Sequence, residues 1–151
     1  MKNRQVLLIN RPTEVAQADD FIIVETDPDP LPQGSFRVVN HFLSVDPAMR
    51  GWIADEGNYA SPVPLGSVMR SLAAGEVVES KHPDFAVGTL LSGWFGWQEQ
   101  CVVTPDAVVR RITEADLPLS LSLGILGING VTAHLALTTI GQPIAGETVL
   151  V

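Results

Sequence analysis

The sequence predicts a mainly β fold, a small barrel or sandwich, with helices confined to its carboxyl end. Three observations carry this. Prolines and glycines cut the first two-thirds of the 151 residues into short β-branched runs separated by turn signals. Beyond Pro118 the pattern changes, and residues 120–143 are apolar without one Asp, Glu, Lys or Arg. With 46% hydrophobic against 17% charged residues, the chain can build a real core. A folded monomer of this mass should expose about 7,500 Å² and bury roughly two-thirds of its unfolded surface.

Each element has a local reason. Residues 5–9 form an apolar run ended by Asn-Arg-Pro, a first strand. Residues 21–25 form a second, which runs into TDPDPLPQG, where three prolines and Gly34 predict an extended surface loop. Residues 35–45, rich in Val and Phe, are the clearest strand, and 74–79, 89–91, 94–104 and 107–112 complete the set. Asp46-Pro47 reads as a helix start, Asp46 as N-cap and Pro47 in the first position, with a short turn over 48–53. Residues 55–64 read as a surface loop. In the apolar tail, Ser120 is a candidate cap although Leu119, Leu121 and Leu123 alternate as a strand would. Val131, Leu135 and Thr139 share a helical face, and Gly141 with Pro143 makes a stop. Two short helices broken at 127–130 result. Residues 146–151 read as the opening of a buried strand, as in a domain cut at its border.

Composition excludes several functions. Seventeen acids against nine bases give a net charge of −8, which repels phosphate backbones and argues against nucleic acid. The amino terminus has an apolar run of only four residues before Asn10, so no signal peptide or membrane span is expected, and a cytoplasmic protein is the default. One cysteine, Cys101, excludes an intrachain disulfide. His41, His82 and His134 lie far apart with no second ligand at metal spacing; surface or structural roles suit them, and no zinc is expected. Alternation in QEQCVVT points Cys101 into the core as an inert thiol. Asp19, Asp20, Asp27 and Asp29 read as solvated loop charges. Trp94 and Trp97, beside Gly93 and Gly96, could stack a ligand, but core or rim packing is the simpler role. There is no G-x-S-x-G, H-E-x-x-H or P-loop run.

Three stretches in order carry a resemblance: LSVDPAMRGW (43–52), EVVESKHPDFAVG (76–88) followed by SGWFGWQEQ, and LGILGINGVTAHLAL with IGQPIAGETVLV at the end. Together they resemble the medium-chain dehydrogenase/reductase superfamily, in its zinc-independent branch of NADPH-dependent double-bond reductases, which includes prostaglandin reductases and curcumin-reductase-like enzymes. The resemblance implies a GroES-like β-barrel substrate domain over residues 1–118 and linking helices over 119–145. It implies that 146–151 begin a dinucleotide-binding Rossmann domain absent from this chain.

The implied activity is hydride reduction of the carbon–carbon double bond of an α,β-unsaturated ketone or aldehyde. NADPH would be the cofactor, a small enone or enal the substrate, and a homo-oligomer the assembly; the 151 residues alone should be inactive. The resemblance makes Tyr59, the only tyrosine, the donor to the developing enolate. It makes Ala48, Met49 and Arg50 part of the substrate pocket, with Ala48 where relatives usually carry tyrosine. Ile128, Asn129 and Thr132 would meet the nicotinamide, with Gly127 and Gly130 allowing close approach. A stand-alone GroES-like binding or assembly module is the alternative, and quinone reduction is the alternative within the enzyme class. The uncharged tail, which a self-sufficient barrel does not need, favours the enzyme.

Overall fold

The computed structural model describes residues 2–55 and 59–150. Seven strands precede the helical end: β1 (Asn3–Leu8), β2 (Phe21–Thr26), β3 (Phe36–Leu43), β4 (Ala73–Ser80), β5 (Leu90–Gly93), β6 (Gln100–Val103) and β7 (Val108–Arg111). They form an antiparallel five-stranded sheet ordered β6-β3-β4-β5-β7 and an antiparallel β1-β2 pair. The fold is therefore mainly β, as the turn punctuation predicts. The expected barrel does not close as one ladder among the described residues. β1 instead makes isolated bridges to connecting segments outside the named strands, Gln5 to Gln98 and Leu7 to Val68, and Val6 N–H donates to Trp97 O at 2.9 Å.

Two clusters fill the interior. Phe36, Val38, Ala73, Val77, Phe85, Leu91, Phe95 and Cys101 form one, with Phe36 and Phe85 stacked at 4.2 Å. Leu8, Met49, Trp52, Ile53, Val63 and Met69 form the other, under the single-turn helix α1 (Met49–Trp52). Burial pushes the Cys101 thiol up to about 12, so it is the inert core cysteine that strand alternation predicts.

Several expectations need correction. Asp46 does not cap α1 with its side chain; its carboxylate accepts from Ser44 Oγ, and its backbone oxygen takes Met49 N–H at 3.0 Å. The strand expected over 94–104 is only β6, because Gly96 adopts φ +72° and turns the chain first. Ser120 lies inside a 3-10 turn (Leu119–Leu123) rather than capping a helix. The following helix α2 (Ile128–Leu135) starts after Gly127, so the break lies over 124–127 and Gly130 is inside the helix. A wider turn (Ala136–Gly141) continues it to the Gly141 stop, where Gln142 takes φ +45°.

The accessible surface is 9403 Å², well above the area expected of a compact monomer. The excess comes from the tail: every residue over 131–150 is exposed. Val149 and Leu150, expected in a buried strand, pair with no described strand.

Candidate functional site

An apolar cavity of ≈ 290 Å³ opens where the helical tail meets the sheet. Leu72, Trp94 and Val109 form its sheet side, and Leu123, Leu126, Ile128 and Val131 its helical side. Ser92, Arg110 and Ser122 supply the polar atoms of the wall. Two glycines let α2 start close against the turn that precedes it. A Cβ on Gly127 would lie 2.4 Å from Ser122 O, and one on Gly130 would lie 1.6 Å from Ile125 O. No side chain fits at either place.

Aromatic contacts connect this cavity to the expected donor. Trp94, a cavity wall, meets Trp52 edge to face at 5.8 Å. Trp52 is buried and donates its indole N–H to Tyr59 Oη at 3.2 Å. The Arg70 guanidinium lies 5.6 Å from the Trp52 ring centroid, while its Nη1 donates to Ser61 O at 3.0 Å. Arg70 therefore ties the segment just after Tyr59 to the same indole. Because the Tyr59 oxygen accepts from Trp52, the phenol keeps its own proton to donate, and the residue is 79% exposed.

The other expected residues are spread around this line. Met49 is buried beside Trp52 in the second core cluster, and Ala48 packs against that cluster. Arg50 is exposed and reaches Pro12 O at 3.5 Å, away from the cavity lining. Ile128 is a cavity wall, whereas Asn129 and Thr132 are not. The Thr132 hydroxyl donates to Ile128 O at 2.7 Å within its own helix. Part of the loop expected over 55–64, at 56–58, lies outside the described residues.

The histidines do not converge. His41 Nε2 stands 3.8 Å from Glu76 Oε2; His82 packs on Phe36 and Phe85; His134 is exposed on α2. Among the described residues, no three His, Cys, Asp or Glu side chains gather to hold a metal ion. Of the tryptophans, Trp97 donates its indole N–H to Ser44 O at 3.0 Å and packs on Phe21. No helix among the described residues is long and apolar enough to cross a membrane.

Sequence reasoning missed Trp52 and Arg110. Arg110 had a readable signal: in the strand VVRR, consecutive side chains face opposite ways, so Arg110 and Arg111 cannot share a face. Arg111 lies 4.5 Å from the Phe85 ring centroid. Arg110 turns to the cavity and holds Glu114 Oε1 from Nη1 at 2.7 Å. That hydrogen bond keeps the Glu114 carboxyl below the usual carboxylate range.

Comparison with known proteins accords with this architecture. Residues 4–111 match the family described as the N-terminal domain of oxidoreductase. The chain is 38% identical over 150 residues to the NADPH-dependent curcumin reductase of Escherichia coli, covering 99% of this chain and 43% of the relative. It is 37% identical over 155 residues to the 2-alkenal reductase (NADP(+)-dependent) of Nicotiana tabacum, covering 100% and 45%. Among solved structures, CurA from Vibrio vulnificus in complex with NADPH superposes with a TM-score of 0.84 at 32% identity, covering 95% of this chain and 42% of that one. The chain thus spans less than half the length of the relatives it matches.

Proposed function

Because this chain belongs to the family of N-terminal oxidoreductase domains, within the medium-chain dehydrogenase/reductase superfamily, we propose that the intact protein reduces the carbon–carbon double bond of an enone or enal with NADPH. Residues 1–118 would be its substrate domain, 119–145 the link, and 146–151 the start of the dinucleotide-binding part. The observation that carries the reading is the placement of Tyr59. Its oxygen accepts from Trp52, its proton is free to be given, and Trp52 abuts the wall of an apolar cavity.

The first turn of α2 fits the nicotinamide end of the cofactor. Ile128 and Val131 expose apolar surface suited to a ring face, and Asn129 brings an amide that can pair with a carboxamide. When bound, NADPH supplies a hydride to the β-carbon of the substrate. Charge then collects on the carbonyl oxygen, where a phenol proton stabilises it. Tyr59 is that donor, and the apolar walls at Leu72, Trp94 and Ile128 hold the carbon skeleton and exclude water.

The test is turnover of a simple enone by the intact protein with NADPH. The reading requires the saturated ketone as product. An allylic alcohol, or turnover of quinones with none of enones, refutes it.

A further inference from the structure

Packing does little to hold Tyr59. The residue is 79% exposed, so its ring keeps most of the rotational freedom of a surface side chain unless a specific bond fixes it. Trp52 supplies that bond, Nε1 donating to Tyr59 Oη at 3.2 Å. Trp52 itself has little room to move. It is buried in the second core cluster with Met49, Ile53, Val63 and Met69. Trp94 meets its ring edge to face, and the Arg70 guanidinium lies 5.6 Å from the ring centroid. The backbone adds a second tie: Val63 N–H donates to Trp52 O at 2.8 Å. Between the two, Arg70 Nη1 donates to Ser61 O at 3.0 Å. Tyr59, Ser61 and Val63 are therefore fixed, at alternate positions, by Trp52 and the cation beside it.

We propose that Trp52 is a positioning residue for the proposed reduction, its indole N–H setting the Tyr59 hydroxyl in place to give its proton to the enolate oxygen. An indole N–H can only donate, so the phenol oxygen must accept, and the hydroxyl hydrogen turns away from Trp52. The accepted bond also polarises the O–H, because hydrogen bonds in a chain strengthen one another. Neither effect needs contact between Trp52 and substrate. Without the bond the ring is released, and the donor is less often in place when charge develops, while substrate binds as before. The inference deepens the proposed enone reduction and rests on that reading for the role of Tyr59.

The experiment replaces Trp52 in the intact protein by benzothienylalanine, which keeps the fused ring and carries sulfur in place of the N–H. Trp52→Phe is a second donor-free variant. Each is made with and without Tyr59→Phe, and kcat and KM are measured for a simple enone with NADPH. With Tyr59 present, loss of the N–H should lower kcat by about two- to tenfold, the contribution of one neutral hydrogen bond, with KM within about twofold. In the Tyr59→Phe background the same replacement should leave kcat within about twofold, because the group it acts through is gone. A merely structural tryptophan would cost as much in either background. That result, an unchanged kcat, or a loss carried by KM overturns the inference. A second readout needs no turnover. The Trp52 indole N–H resonance, identified by its absence from Trp52→Phe, should move upfield in Tyr59→Phe as its hydrogen bond is lost; an unmoved resonance overturns the inference. Enone reduction combined with either failure overturns only the role of Trp52. Absence of enone reduction, with the resonance moving as expected, overturns the proposed function and the role that rests on it.

Discussion

Replacing Gly130 by alanine sets two effects of opposite sign against each other. Gly130 lies inside α2, where alanine has the higher helix propensity by about 1 kcal/mol. If α2 stood free, the change would stabilise it. The added Cβ, however, would lie 1.6 Å from Ile125 O and 2.5 Å from the carbonyl carbon. Both are backbone atoms of the turn that forms the cavity's helical side, so no flexible side chain can yield. Overpacking of a fitted contact costs about 1–3 kcal/mol, and so deep an overlap takes the upper end. The net effect is about 2 kcal/mol of destabilisation, confined to the seat of α2. Hydrogen exchange of peptides covering 119–135 in the intact protein reads this directly. Exchange should quicken by about 30-fold, with β3 and β4 unchanged. Exchange slowed by about fivefold, the propensity effect alone, would refute the close approach of α2 to residue 125.

Other substitutions and reagents probe separate parts of the account. Tyr59→Phe should lower kcat for an enone by about ten- to a thousand-fold with little change in KM; steady-state kinetics that show an unaffected variant remove Tyr59 as donor. Cys101, with its thiol near 12, should resist thiol reagents at pH 8 until the protein unfolds, and rapid native labelling would contradict its burial. Phe36→Ala removes a fully buried ring stacked on Phe85 and should cost about 3–5 kcal/mol in denaturant unfolding; a loss under about 1 kcal/mol would be inconsistent with that packing. Protein purified without chelator should carry no stoichiometric zinc, because one cysteine and three scattered histidines furnish no tetrahedral set; elemental analysis checks this.

Much of the fold was legible because its punctuation is local. Proline and glycine act within two or three residues, so the positions of most strands along the chain and the stop at Gly141 follow from the chain itself. The registers that failed depend on distant contacts. Residues 94–99 are aromatic enough for a strand, yet Gly96 N–H turns aside to Ser71 O at 3.1 Å. Asp46 has the chemistry of a cap, but Ser44 engages its carboxylate first. The start of α2 could not be read because Gly127 and Gly130 look alike in sequence. Only their contacts with Ser122 and Ile125 show which ends one turn and which seats the next. In the candidate site, Tyr59 and Ile128 came from family motifs, whereas Trp52 matters through an indole hydrogen bond that no spacing reveals. Arg110 was hidden by its neighbour: a pair of arginines reads as surface charge until strand alternation forces one inward.

Isotope tracing with NADPH deuterated at C4 tests the central claim most directly. The intact protein, given a simple enone, should place deuterium on the β-carbon of the saturated ketone, with a solvent proton at the α-carbon. Deuterium on the carbonyl carbon of an allylic alcohol would contradict the account.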